Sequence, residues 1–159
     1  FNKLRKYFEE DKDIALITDA GSPGVSDPGG KLIELVLVNF PDTEIVAIPG
    51  ASALTAMISV AGIAMDKFLF LGFLPHKKGR QTLMTEIKGS KRPVIFFESV
   101  HRILKALEQL SDCDKQIIIG RELTKKFETI YRGTAKEILE ILSSDKSKVK
   151  GEFVVIVNK

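Results

Sequence analysis

Residues 19–30, Asp19-Ala20-Gly21-Ser22-Pro23-Gly24-Val25-Ser26-Asp27-Pro28-Gly29-Gly30, have the composition of a loop that holds an anionic or nucleotide-like ligand with its backbone. Glycine has no Cβ and tolerates positive φ, so the main chain can approach a ligand closely, and two prolines stiffen the same stretch. A second loop, Ile48-Pro49-Gly50-Ala51-Ser52-Ala53, repeats the arrangement. Ser52 can cap the helix that follows and also present a hydroxyl to a ligand. In an open parallel sheet, loops at the carboxyl ends of neighbouring strands face the same crevice.

Neither loop is an ordinary nucleotide fingerprint. The P-loop pattern ending at Gly30-Lys31 would need glycine where Val25 stands and Ser or Thr where Leu32 stands. The dinucleotide fingerprint needs G-x-G-x-x-G, and the glycines at 21, 24, 29 and 30 do not supply it. A G-x-S-x-G nucleophile elbow is also absent, because Ser22, Ser26 and Ser52 have the wrong neighbours. His76 and His101 lack ligand-spaced Cys or His partners, which argues against a metal site.

The elements that must position these loops alternate in α/β order. Apolar runs at 14–18 and 43–48 read as buried strands separated by a helix at 30–39, and a helix follows at 52–61, which predicts a mostly parallel sheet. After Ala64 the texture changes to aromatic-rich strands at 68–73 and 93–97 around a basic helix at 78–88. A helix at 100–110, strands at 116–119 and 129–132, a helix at 134–142 and a strand at 152–157 complete the pattern. The expected organisation is α/β with two domains, residues 1–64 and 65–159, the second a smaller mixed-sheet unit. Residues 4–10 read as the latter part of an amphipathic helix, as in a chain that continues something earlier.

Composition bounds the function without choosing it. The chain has 159 residues, 44% of them hydrophobic, with 24 Lys and Arg against 21 Asp and Glu. A net charge of +3 permits an RNA partner but does not demand one. The single cysteine, Cys113, excludes an internal disulfide framework and fits a reducing compartment, hence a cytoplasmic location. No apolar stretch reaches the roughly 18 residues of a membrane span.

Both loops, with Gly72-Phe73-Leu74-Pro75, Phe96-Phe97-Glu98-Ser99-Val100-His101-Arg102, Arg121-Glu122-Leu123-Thr124-Lys125 and Lys150-Gly151-Glu152-Phe153, occur in the order found in one family. The chain resembles the bacterial 16S ribosomal RNA 2′-O-ribose cytidine methyltransferases of the tetrapyrrole-methylase superfamily. Family members carry an earlier strand and a Pro-x-Gly-Asn type loop that this sequence lacks, so the resemblance implies an N-terminally truncated cofactor domain with a partial parallel sheet. It also implies S-adenosylmethionine as cofactor, small-subunit ribosomal RNA as substrate, and a homodimer with no membrane partner. Asp19, Ala20, Gly21, Val25 and Ser26 would line the amino-acid and sulfonium end, with Ser52 and Ala53 from the second loop. Phe73, Leu74, Glu122 and Leu123 would close over the adenosine.

A ribose 2′-hydroxyl is a weak nucleophile that a base within hydrogen-bond reach would help. Glu98, Glu122 and Glu128 are the carboxylate candidates, Glu122 first because of its motif-like setting. Lys125 could assist only with a depressed pKa. For RNA contact, Lys77, Lys78 and Arg80 crowd the stretch after Pro75, and His101, Arg102, Arg121 and Lys125 add positive charge. Two alternatives stand beside this reading: a porphyrin or corrin substrate for the same chemistry, and a binding-only module.

Overall fold

The computed structural model describes all residues, Phe1–Lys159, and the chain divides into two compact units, Phe1–Ser52 and Ala53–Lys159. The division falls at Ser52 rather than near Ala64, because the helix Ala53–Ala61 (α3) buries Met57 and Ala61 among residues of the second unit's sheet.

The first unit contains helices Arg5–Glu9 (α1) and Gly29–Asn39 (α2) and no β-strand. Phe1 and Phe8 stack, Phe8 stacks on Phe40 with centroids 5.2 Å apart, and Arg5 donates to Asn39 Oδ1 at 2.9 Å, which seats α1 on the end of α2. The expected parallel sheet is therefore corrected here. Residues 14–18 and 43–48 run without strand pairing, and most of their apolar side chains face solvent, Ile17 at 83% and Ile48 at 77% exposure. An apolar run marks a segment fit for a sheet interior, but a strand exists only where a neighbour pairs its backbone, and neither segment has one.

In the second unit the remaining elements are Leu69–Phe73 (β1), Arg80–Gly89 (α4), Val94–Glu98 (β2), Ile103–Leu110 (α5), Ile117–Arg121 (β3), Thr129–Gly133 (β4), Ala135–Ser143 (α6) and Phe153–Val157 (β5). They form one five-stranded mixed sheet in the order β1-β2-β5-β3-β4. Only β1 and β2 pair in parallel, as expected for strands joined through a helix; the other neighbours are antiparallel. Period-two alternation sorts the side chains between the faces. Val94, Phe96, Ile117, Ile119, Phe153, Val155 and Val157 meet α4, α5 and α6 on one face, and Ile95, Ile118, Val154 and Ile156 meet α3 on the other. The β-branched strands thus read continuously apolar because both faces are covered. The start of α6 is fixed by a capping box in which Thr134 Oγ1 accepts from Glu137 N and the Glu137 carboxylate accepts from Thr134 N.

Candidate functional site

In the first unit the two loops that composition singled out are brought together. Thr18 Oγ1 reaches Gly21 O at 2.8 Å and Ala20 O at 3.2 Å, folding the start of the 19–30 loop on itself. Asp27 organises its end: one carboxylate oxygen accepts from Gly24 N at 2.8 Å and the other from Gly29 N at 2.7 Å, where α2 begins. Gly21 and Gly24 hold φ of 77° and 97°, and Ser26 holds 62°, so the loop uses the left-handed region that glycine enters freely. Ser22 N donates to Ala51 O at 2.9 Å, tying this loop to the second. The approach is close enough that a Cβ on Gly21 would lie 2.8 Å from Ala51 O, and one on Gly50 2.8 Å from Ser22 Oγ. Asp19, Ala20, Gly21, Val25 and Ser26 all remain exposed, Ser52 is half-buried and Ala53 exposed. Asp27 is the organiser that sequence reasoning passed over. Its signal was there, a carboxylate just before Pro-Gly at a helix start, where the first amides lack partners.

The second unit presents a different construction. Between Phe70 and Phe73 the β1–β2 register shifts, and Gly72 takes φ 59° in the irregularity. A bulge of this kind re-aims side chains. Phe73 leaves the sheet 55% exposed, packed edge-on against Phe97 with centroids 5.4 Å apart. Leu74 goes the other way and is buried in the helix-side core, so the expectation that its side chain covers a cofactor is corrected. Leu123 likewise packs on the α3-side core, where a Cβ on Gly120 would meet its methyl carbons at 2.8–3.0 Å.

Behind this loop lies an ion cluster. Glu98, whose side chain is fully buried, receives Arg80 Nη1 on one oxygen at 3.0 Å and Arg102 Nη2 on the other at 2.9 Å. Both arginines also grip the loop's carbonyls, Arg102 Nη1 on Leu74 O at 2.8 Å and Arg80 Nη1 on Pro75 O at 3.3 Å. Arg80 Nε donates to Gln109 and Arg102 Nε to Ser99 Oγ. The expected RNA contacts of Arg80 and Arg102 are corrected on this ground. Arg80 is only 5% exposed, and a guanidinium committed to a buried carboxylate is not available to a phosphate. The sequence held a clue, since Arg80, Met84 and Ile87 are the buried residues of one helix and follow the i, i+4, i+7 stripe. Lys77, Lys78 and His101 are exposed.

Glu122, the first base candidate, serves a different purpose. Its Oε1 accepts from Glu152 N at 2.9 Å and from Lys125 Nζ at 3.2 Å, while Glu122 N donates back to Glu152 O at 3.0 Å. Glu122 and Thr124 hold φ of 50° and 63°, and a Cβ on Gly151 would fall 2.4 Å from Glu122 Cγ. The Glu152 amide, opposed by desolvation and aided by Lys125, holds the Glu122 carboxyl below its ordinary value near 4.5. Glu152, then Glu122, push the Lys125 ammonium up against a smaller desolvation penalty. A depressed carboxyl and a raised ammonium are both poor proton acceptors near neutrality. Glu128 is likewise engaged, accepting from Thr124 N at 2.5 Å. Arg121 uses Nε on Lys150 O at 2.6 Å and Nη2 on Ser147 O at 2.9 Å. For Glu122→Gln the expected result is a pH effect on stability. A depressed folded-state pKa contributes stability above about pH 4.5 that is lost as pH falls through the folded value, and Gln lacks that contribution. Thermal melts across the acid range should show the two proteins converging at low pH, and a gap that stays constant with pH would refute this role.

The sequence profile of the Tetrapyrrole (Corrin/Porphyrin) Methylases matches residues 2–139. Ribosomal RNA small subunit methyltransferase I of Haemophilus influenzae is 40% identical over 158 residues, which are 97% of this chain and 55% of that protein. The protein of the same name from Buchnera aphidicola is 38% identical over 161 residues, 99% of this chain and 56% of its own length. The chain thus spans little more than half the length of these curated relatives. Among solved structures, the methyltransferase CobJ is similar with a TM-score of 0.68 at 20% identity, over 99% of this chain and 69% of that one. Uroporphyrin-III C-methyl transferase from Thermus thermophilus, complexed with S-adenosyl homocysteine, gives a TM-score of 0.54 at 13% identity over 86% of this chain and 62% of its own. At such identities the likeness is one of fold, the mixed α/β architecture described above.

Proposed function

The chain belongs to the tetrapyrrole (corrin/porphyrin) methylase family, and on that premise we propose that it is part of an S-adenosylmethionine-dependent methyltransferase. Its substrate is the ribose 2′-hydroxyl of a cytidine in 16S ribosomal RNA of the small subunit. The observation that carries this is the joined pair of loops, with Ser22 N on Ala51 O, in which Asp19 to Gly21, Val25 and Ser26 are exposed residues. The fit is that of a backbone cradle: at Gly21 there is no room for a side chain, and the neighbouring residues stay open to a ligand.

S-adenosylmethionine, when bound, supplies a methyl group already activated by its sulfonium. The chain's own part is placement, which can account for a large share of such a rate enhancement. The loops of the first unit bind the polar amino-acid end through main-chain groups, joined by the Ser52 hydroxyl and by Ala53, the next residue in the chain. Phe73, in the second unit, presents an exposed aromatic ring of the kind that stacks on a purine. Lys77, Lys78 and His101 offer positive charge to RNA phosphates. None of Glu98, Glu122 and Glu128 is assigned as a base, because each carboxylate has a structural partner. A second copy of the chain as partner and a cytoplasmic location go with this function; no helix is long and apolar enough to cross a membrane.

The experiment is methyl transfer from labelled S-adenosylmethionine by the full-length protein, offered small ribosomal subunits and, separately, uroporphyrinogen. Label in an alkali-resistant dinucleotide that contains cytidine is the expected result. Label in the tetrapyrrole alone would overturn the proposal in favour of the other substrate class. That alternative is not favoured, since relatives at 37–40% identity carry the ribosomal RNA name.

A further inference from the structure

We propose that Phe127 and the cavity beside it form a stacking site for one unpaired base of a single-stranded RNA segment. The inference rests on the RNA substrate proposed above and adds a contact that charge alone did not indicate. Phe127 is 63% exposed near the end of the β3–β4 connection, two residues before β4 and among charged neighbours. A cavity of about 300 Å³ opens next to it, lined by Arg121, Glu122, Phe127, Ser147, Lys150 and Gly151. Lys126 Nζ lies 5.6 Å from the Phe127 ring centroid, and Arg121 and Lys150 bring two more cations to the rim. An exposed ring bordered by cations is what sequence-tolerant recognition of a splayed nucleotide uses, the ring taking the base and the cations its phosphates.

The ring is held in place although solvent surrounds it. Lys125 N donates to Glu122 O at 3.0 Å, Glu128 N to Lys125 O at 3.1 Å, and Thr124 N to the Glu128 carboxylate at 2.5 Å. Glu122 pins the base of the connection to Glu152, and Arg121 fixes the opposite wall through Ser147 and Lys150. The platform is therefore preorganised, and binding a base there forfeits little loop entropy. Lys125 is neutralised by Glu122 and Glu152, which leaves Arg121, Lys126 and Lys150 as the cations for phosphate.

The test uses Phe127→Trp and Phe127→Ala. The sequence contains no tryptophan, so emission from the first variant reports this position alone. A single-stranded oligocytidylate decamer should quench that emission, and an abasic decamer with the same phosphates should not. In Phe127→Ala the decamer's affinity should fall roughly tenfold, with the slope of log affinity against log salt unchanged because the phosphate contacts persist. Equal quenching by the abasic strand, or unchanged affinity in Phe127→Ala, overturns the stacking site while methyl transfer to the small subunit still stands. Absence of any RNA binding by the unsubstituted protein, together with failed transfer, overturns both.

Discussion

Glu98→Gln is expected to lower the stability of the second unit by about 3–5 kcal/mol, the usual cost of removing one partner from a buried ion pair. Two guanidiniums converge on this one carboxylate at 3.0 and 2.9 Å, and Arg80, 5% exposed, has almost no water to fall back on. Glutamine keeps the shape but loses the charge, so the buried Arg80 and the partly buried Arg102 are left as two cations without their shared counter-charge. Arg80 Nη2 is already buried without a partner, which leaves the cluster no spare acceptor. Against a total stability of about 5–15 kcal/mol for a domain, such a loss is large. Urea denaturation followed by circular dichroism measures it, and a midpoint within experimental scatter of the parent would sink the account. The effect should also reach the loop that follows β1. The same arginines hold the Leu74 and Pro75 carbonyls, so a partly folded variant should expose the 72–75 stretch to proteolysis first.

Gly21→Ala is expected to weaken binding of S-adenosylhomocysteine at least tenfold while leaving the second unit's melting unchanged. At φ 77° an alanine pays about 1–2 kcal/mol for the left-handed backbone. Its methyl would also sit 2.8 Å from Ala51 O, a backbone atom that can yield only by moving the second loop. The hydrogen bond from Ser22 N to Ala51 O would be the first to break as that loop moves. Gly30→Ala supplies the control, because it lies in α2, a Cβ there meets nothing within 4 Å, and alanine favours the helix. Calorimetry with S-adenosylhomocysteine on both variants decides the matter, and equal affinities would remove Gly21 from the cradle.

The second unit was legible in the sequence because its signals are local. β-branched runs such as Ile117-Ile118-Ile119 and Val154-Val155-Ile156-Val157 specify strands buried on both faces. The Thr134 and Glu137 pair marks where α6 begins. What escaped depends on partners distant in sequence. Arg80 sits in a basic stretch after Pro75, and only Glu98, 18 residues later, turns it from a surface charge into a core residue. Glu122 looked like chemistry because of its motif, yet its carboxylate is spent on the amide of Glu152, 30 residues away. The 14–18 and 43–48 segments show the same limit from the other side. Their composition suits a sheet interior, but composition does not provide the neighbour that pairs them. The loops were the middle case: their glycines announced a close backbone approach to a ligand, and the close approach the structure shows is between the loops, Ser22 N on Ala51 O.

The two units also differ in what keeps them ordered. The second is held by a double-sided core, whereas Val36 is the lone buried apolar side chain of the first. Ordering a residue costs about 1–2 kcal/mol in backbone entropy alone, and one buried valine offsets very little of that. For the cradle loops, then, a bound ligand is a component of the folding equilibrium as well as a guest. Free cofactor above its dissociation constant adds RT ln(1 + [L]/Kd) to their stability, about 2.7 kcal/mol at a hundredfold excess.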